Sequence, residues 1–241
     1  MPKILKIKDK TDNYHKKHKL FDLPFKLLIN SKSQIGLGKT TLIINLLLNP
    51  EFGYDKIFKG ENIYIVSNNS LDQKLKMLAE YKEIPEQNIM EFNENDLKHL
   101  YTEIEEEVEQ ELNDKNVQQR LIIFDDCVGG GQMKKVSSIM TKLVTQGRHL
   151  MLSQIYTCQR FSLLSTIIRS NITGAVLGST SMKELELIAE DYNYLKSKRE
   201  FINLFRENTN DSDGRGFLVI NFSNPDGLYM DRNFKTIKML K

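Results

Sequence analysis

Apolar residues in this chain fall into short unbroken runs, separated by stretches in which they recur at helical spacing. The runs predict strands over 26–30, 62–67, 121–124, 150–157, 174–177 and 217–222, with helices between most of them. A continuous apolar run suits a strand buried on both faces of a parallel sheet. Strands alternating with helices imply right-handed crossovers, so the pattern predicts an α/β fold with a mainly parallel central sheet covered by helices on both faces. Leu97, Leu100, Tyr101, Ile104, Val108 and Leu112 mark one amphipathic helix, while Glu103, Glu105, Glu106, Glu107, Glu109 and Glu111 crowd its other side. That acidic side is solvated and unsuited to line a DNA channel. Region 194–206 mixes basic and apolar residues as a helix that either docks a partner or covers the core. Gly129, Gly130 and Gly131 predict a loop near the nucleotide or substrate, and 208–216, rich in Asn, Asp and Gly, another before the last strands.

Composition narrows this picture modestly. The chain has 241 residues, 40% of them hydrophobic, and a formal net charge of +2, enough for one well-packed domain. No internal repeat or long linker divides it; the expected organisation is a basic arm over 1–22 and a single domain over 23–241. Residues 1–20 carry seven lysines and two histidines against two aspartates. This arm either meets DNA or an acidic partner, or is a solvated tail or an edge strand built on Ile4 and Ile7. Cys127 and Cys158 are the only cysteines, with no zinc-site spacing, and read as small core residues. No signal peptide and no apolar run near the ~20 residues of a membrane span is present, so a soluble protein of a reducing compartment, without membrane contact, is expected.

The chemistry concentrates at two strand ends. Residues 33–42 read SQIGLGKTTL, follow the first apolar run and open the amphipathic segment 41–48. Strand, Gly-containing turn, Lys-Thr and helix make a phosphate-binding loop, because glycines let consecutive backbone N–H groups curl around a phosphate. Its residues are Ser33, Gln34, Ile35, Gly36, Leu37, Gly38, Lys39, Thr40 and Thr41. Lys39 reaches the β and γ phosphates of ATP, and the Thr40 hydroxyl completes a Mg2+ shell. Ser33 stands where the general pattern has its first glycine. Residues 120–126 read RLIIFDD: Asp125 is placed to hold Mg2+, and Asp126 to orient and deprotonate an attacking water. Alternatively, the acids merely punctuate a strand end.

A third strand, within LMLSQIYTCQRF, ends at Cys158-Gln159-Arg160. In ATPases with an extra strand between the phosphate-loop strand and the Mg2+ strand, a polar residue at its tip sits beside the γ phosphate. Gln159 suits that sensor position, being able to bond both phosphate and water, or it is a surface glutamine. Arg148, at the start of the same strand, lies at the opposite edge of the sheet. It either faces a neighbour's nucleotide in a ring as an arginine finger or is an ordinary surface arginine.

With these residues, the segment GRHLMLSQIYTCQRFSLLSTIIRSNITGAVLGSTS resembles the corresponding stretch of the FtsK-HerA translocases. In them a strand ends in a Gln-Arg pair, a helix follows, and a basic residue precedes an Asn. Within that superfamily the chain is most similar to the genome-packaging ATPases of poxviruses, other large DNA viruses and their virophages. The features are LPFKLLINSKSQIGLGKTTL, the paired aspartates and Ile168-Arg169-Ser170-Asn171, and the likeness spans roughly 21–180. The resemblance implies a P-loop NTPase of the RecA-like/ASCE type. Its activity would be an ATP-driven pump that threads double-stranded DNA into a preformed viral capsid, without sequence preference. The partners so implied are further copies in a homo-oligomeric ring of five or six subunits and the capsid vertex, in the virion and the host-cytoplasmic viral factory.

Carried over by position, Lys39 and Thr40 hold ATP and Mg2+, Asp125 the metal, Asp126 is the general base and Gln159 the sensor. Arg148 is the finger acting in trans, with Arg169 a second candidate. Asp126 departs from the family's glutamate, so a shorter carboxylate must sit nearer the phosphate or act through a second water. Lys134 and Lys135 are candidates for gripping the DNA backbone, or are inert. Rival readings are a small-molecule kinase, a viral or plasmid helicase, and a catalytically weak nucleotide-dependent assembly switch, for which Ser33 is the motive.

Overall fold

The computed structural model describes residues 7–32, 38–68, 72–127, 137–210 and 214–238. They form an eight-stranded sheet in the order β3-β2-β4-β5-β1-β6-β7-β8. The strands are β1 Lys26–Asn30, β2 Ile63–Ser67, β3 Ile89–Glu91, β4 Arg120–Asp125, β5 Leu152–Cys158, β6 Gly174–Leu177, β7 Leu218–Asn221 and β8 Tyr229–Met230. The first six run parallel, and β7 and β8 add on antiparallel. This is the predicted RecA-like, mainly parallel α/β architecture, with β5 inserted between β1 and β4.

Alternate residues of each central strand feed two separate cores, as a period of two requires. Leu27, Ile29, Ile65, Ile123 and Ile155 face helices α1 (Lys39–Leu48) and α2 (Gln73–Lys82). Leu28, Val66, Ile122, Phe124 and Tyr156 face the other side. There α3 (Glu94–Asp114), α4 (Ser138–Gln146), α5 (Thr166–Asn171), α6 (Met182–Tyr192) and α7 (Lys198–Thr209) cover the sheet. None of the described helices is long and apolar enough to cross a membrane.

Several expectations shift. The strand expected over 150–157 begins at Leu152, because Gly147–Leu150 forms a 3-10 turn and Met151 takes a positive φ of 51°. Gly147 is required there: an added Cβ would lie 2.5 Å from the Gln154 amide nitrogen, which bonds the Leu143 carbonyl at 2.6 Å. The short β3 and β8 were not predicted. The helix expected across 194–206 starts only at Lys198, where the Ser197 side chain caps the Glu200 N–H. Its residues Phe201, Leu204 and Phe205 are buried, so this helix covers the core.

The segment read as a basic arm lies along the N-terminal edge of the sheet from Thr11 onward. Gln119 donates to the Tyr14 carbonyl at 3.0 Å, Lys16 bridges Leu23, and Leu20 and Phe21 are buried. Ile7 is exposed and in no strand, while Ile4 lies outside the described residues. Both cysteines are free and buried, as expected of core residues, and burial pushes each thiol up to about 12.

The acidic side of α3 does more than meet solvent. Arg120, the first residue of β4, is 1% exposed, and its guanidinium donates to Glu107 at 2.9 Å and to both Glu111 oxygens at 2.7 and 3.0 Å. This cluster ties α3 to the strand that ends in the paired aspartates.

Candidate functional site

Parallel register brings three strand ends to one edge of the sheet. Asn30 of β1 lies opposite Cys158 of β5, and Phe124 of β4 opposite Tyr156, so Asp125 stands level with Thr157. Such C-terminal strand ends are where open α/β sheets bind ligands.

Helix α1 opens at this edge. Its N-cap is Gly38 at φ 64°, a left-handed conformation that favours glycine, and no side chain caps its first-turn N–H groups. The other six α-helices among the described residues each begin with a capping side chain: Asp72, Asn93, Ser137, Ser165, Ser181 and Ser197. The start of α1 therefore keeps backbone donors and a positive dipole end, which suits an anion. Lys39 Nζ donates to the Ser31 carbonyl at 3.3 Å and stays near enough to Asp125 for their charges to interact. Thr40 Oγ1 donates to Asp72 Oδ2 at 3.0 Å, and Lys74 Nζ donates to Thr41 Oγ1 at 2.7 Å. Ser33, Gln34, Ile35, Gly36 and Leu37 lie outside the described residues, as do Gly129, Gly130, Gly131, Lys134 and Lys135.

Thr157 organises the two acids. Its hydroxyl donates to Asp125 Oδ1 at 2.8 Å and accepts from the Asp126 N–H at 2.9 Å. Asp126 turns the chain out of β4 at φ 47°, its carbonyl accepting from Asn68 Nδ2 at 3.3 Å. Gln159, exposed beyond the end of β5, donates from Nε2 to Asp126 Oδ2 at 3.2 Å. Burial raises the Asp125 carboxyl, and the charges of Asp126 and Asp72 raise it further, against the Thr157 hydroxyl and Lys39.

The raised carboxyl has a testable consequence. A group whose folded pKa lies above its unfolded one opposes folding when ionised at neutral pH. Asp125→Asn is therefore expected to raise the melting temperature of the nucleotide-free protein, with Asn still accepting from Thr157. A lowered melting temperature would refute this balance.

Two arginines lie elsewhere. Arg148 sits in the turn before β5, exposed, at the opposite end of that strand from Gln159. Its carbonyl bonds His15 Nε2 at 3.3 Å, and its charge acts on Lys26 at the start of β1. Arg169 is held within its own fold: Nη1 donates to Asp191 at 2.7 Å, Nη2 to Thr166 at 3.3 Å, and the guanidinium lies 5.1 Å from the Phe161 ring centroid. Neither arginine has a contact with Lys39, Asp125 or Asp126 among the described residues.

Sequence reading missed Asp72, Asn68 and Thr157. A capping aspartate before a helical run was visible at Asp72, but its reach to Thr40 depends on how β2 and α1 sit together. For Thr157 the signal was a hydroxyl inside a buried strand two residues before Gln159.

The donors present are hard oxygens, from Thr40, Asp125 and nearby Asp72, and fit Mg2+. No group of three or more His, Cys, Asp or Glu able to hold a metal occurs among the described residues.

No curated protein sequence matches the chain. Among solved structures, the fold is similar to the genome packaging NTPase B204 from Sulfolobus turreted icosahedral virus 2 in complex with AMP. The TM-score is 0.54 at 16% identity, covering 83% of this chain and 93% of that one. The ATP-gammaS complex of the same protein gives the same values. B204 of Sulfolobus Turreted Icosahedral Virus, a DNA-packaging ATPase, matches with a TM-score of 0.50 at 16% identity over 83% of this chain and 94% of that one. The profile of the family described as "Poxvirus A32 protein" matches residues 12–225, nearly the whole chain. The chain belongs to the poxvirus A32 protein family.

Proposed function

We propose that this protein is an ATPase that drives double-stranded DNA into a preformed viral capsid, as a homo-oligomeric ring at the capsid vertex. The observation that carries the reading is the meeting, at one sheet edge, of an uncapped Lys39-Thr40 helix start with two carboxylates and a glutamine. In this reading, Lys39 exchanges the Ser31 carbonyl for the β and γ phosphates, and the first-turn N–H groups of α1 bind phosphate oxygens. Thr40 and Asp125 hold Mg2+, with Asp72 next to the Thr40 hydroxyl. The bound ion supplies charge neutralisation across the phosphates.

Asp126 takes the proton of the attacking water. Gln159, bonded to Asp126 through its Nε2, can instead donate to a γ phosphate and so report its presence. Arg148, remote from its own subunit's site and exposed, is the favoured residue for a neighbour's site. Arg169, already engaged by Asp191 and Phe161, would first have to leave them. DNA is gripped through its phosphate backbone, which needs no base readout. The protein works in the virion and the host cytoplasm.

The test is ATP hydrolysis against protein concentration, with and without long double-stranded DNA. Stimulation by DNA is expected, rising steeply with concentration because a finger supplied in trans requires neighbours. Arg148→Ala and Asp126→Asn should each be nearly inactive, and mixing them should restore part of the turnover, since some interfaces then join an intact Arg148 to an intact Asp126. ATP binding without turnover under any condition would leave the assembly switch. Turnover coupled to strand separation would identify a helicase.

A further inference from the structure

Arg148 lies in the Gly147–Leu150 turn, whose backbone is tied to its surroundings. The Arg148 carbonyl accepts from the Met151 N–H and from His15 Nε2, each at 3.3 Å, and the Met151 carbonyl accepts from the Arg120 N–H at 2.9 Å. Only the long side chain is left to be placed. Among the described residues its one hydrogen bond runs from Nε to Nε2 of the adjacent His149, at 3.4 Å. We propose that His149, set by Asp9 and Thr11 of the N-terminal segment, is a positioning residue that aims Arg148 at the neighbouring subunit's nucleotide. The proposal rests on the reading of Arg148 as a finger acting in trans.

The hydrogen-bonding roles follow from the partners. A guanidinium only donates, so His149 Nε2 must accept and the ring proton must sit on Nδ1. That nitrogen faces Asp9 Oδ2 at 3.3 Å and Thr11 Oγ1 at 3.4 Å. Both oxygens can accept, because the Thr11 hydroxyl gives its own hydrogen to Asp9 Oδ1 at 2.7 Å. One side of the ring is thus committed to a carboxylate, which fixes the tautomer and leaves the other side as an acceptor for Arg148.

The carboxylate is itself held. Asp9 Oδ1 also accepts from the N–H groups of Thr11 at 2.7 Å and Asp12 at 2.9 Å, while Asp12 Oδ2 accepts from the Asp9 N–H at 3.0 Å. The Thr11 hydroxyl first, then the two N–H groups, outweigh burial and hold the Asp9 carboxyl down to about 2, so it stays ionised and only accepts. Thr11 is buried although its neighbours in the chain are exposed or half-buried, and the turn after it is tied down by Gln119, which donates to the Tyr14 carbonyl at 3.0 Å.

With Nε engaged, Nη1 and Nη2 are the donors left for a phosphate of the next subunit. A guanidinium anchored on one side samples fewer rotamers, so less freedom is lost when that phosphate arrives.

The experiment uses substitutions that move protons while keeping shape. In Asp9→Asn the amide oxygen can keep the bonds from Thr11 and Asp12, and the NH2 group then faces His149 Nδ1. That favours the tautomer protonated on Nε2 and leaves Arg148 without an acceptor. DNA-stimulated kcat is expected to fall about 10- to 100-fold, the scale of a catalytic group displaced by about 1 Å, with KM for ATP within twofold. His149→Ala should fall equally. His149→Gln should recover most of the turnover, since its amide oxygen can stand where Nε2 does, and Asp9→Asn should add nothing in that background. Nitrogen-15 NMR should show the parent's His149 protonated on Nδ1 and bare on Nε2, and the reverse in Asp9→Asn. A parent ring bare on Nδ1 overturns the positioning role. So does turnover within twofold of the parent in Asp9→Asn and His149→Ala while Arg148→Ala is nearly inactive. Turnover retained in Arg148→Ala refutes the finger reading instead, and the positioning role falls with it even where the NMR finds the expected ring proton.

Discussion

Asp126→Asn is expected to lower ATP turnover by about 10²–10⁴-fold, the usual contribution of a positioned general base, while ATP still binds. The substitution leaves the local structure intact for three reasons. Asn tolerates the positive φ of 47° as well as Asp does. The backbone N–H keeps its bond to Thr157 Oγ1. The amide oxygen can still accept from Gln159 Nε2, as the carboxylate does at 3.2 Å. What disappears is the ability to take a proton. One negative charge beside the raised Asp125 carboxyl is also removed, so ATP affinity should hold or rise. Single-turnover hydrolysis together with equilibrium ATP binding separates these effects, and undiminished hydrolysis would falsify the role given to Asp126.

The largest effect on stability is expected at Glu111. Arg120 is 1% exposed and depends on Glu111 for two of its charged hydrogen bonds, and Glu111 also accepts from the Gln118 N–H at 3.0 Å. Removing Glu111 leaves the buried guanidinium with one carboxylate partner, the half-exposed Glu107, at a cost approaching the roughly 3–5 kcal/mol of breaking a buried pair. Glu111→Ala should therefore lose about a fifth or more of a typical domain stability of roughly 5–15 kcal/mol. Glu107 is 53% exposed and makes one bond to Arg120, so Glu107→Ala should cost about 1 kcal/mol. Urea unfolding checks both: the midpoint for Glu111→Ala should fall far more than for Glu107→Ala, with little change in slope. Equal midpoints would show that Arg120 finds compensation elsewhere.

The Arg120 cluster also illustrates where sequence reading stops. The spacing of Leu97, Leu100, Tyr101, Ile104 and Val108 identified α3 and its buried stripe, because a helical period belongs to the chain itself. Nothing in that period distinguishes Glu107 and Glu111 from the glutamates around them. Their selection depends on where the first residue of β4 arrives.

The same division runs through the fold and the candidate site. Local order in the chain determined the parallel α/β core, the Lys39-Thr40 helix start, the Asp125-Asp126 strand end and the Gln159 strand tip, since each is a strand or helix boundary written in consecutive residues. Strand β3, three residues long, and β8, two residues long, escaped because so few positions carry no readable period. Tertiary structure alone decided that Thr157 clamps both aspartates, that Asp72 reaches Thr40, and that Arg169 is taken by Asp191. It also decided that Arg232, Asn233 and Phe234 line the same cavity as Thr41, nearly two hundred positions earlier. These contacts join residues far apart in the chain, and sheet order and register, rather than local pattern, bring them together.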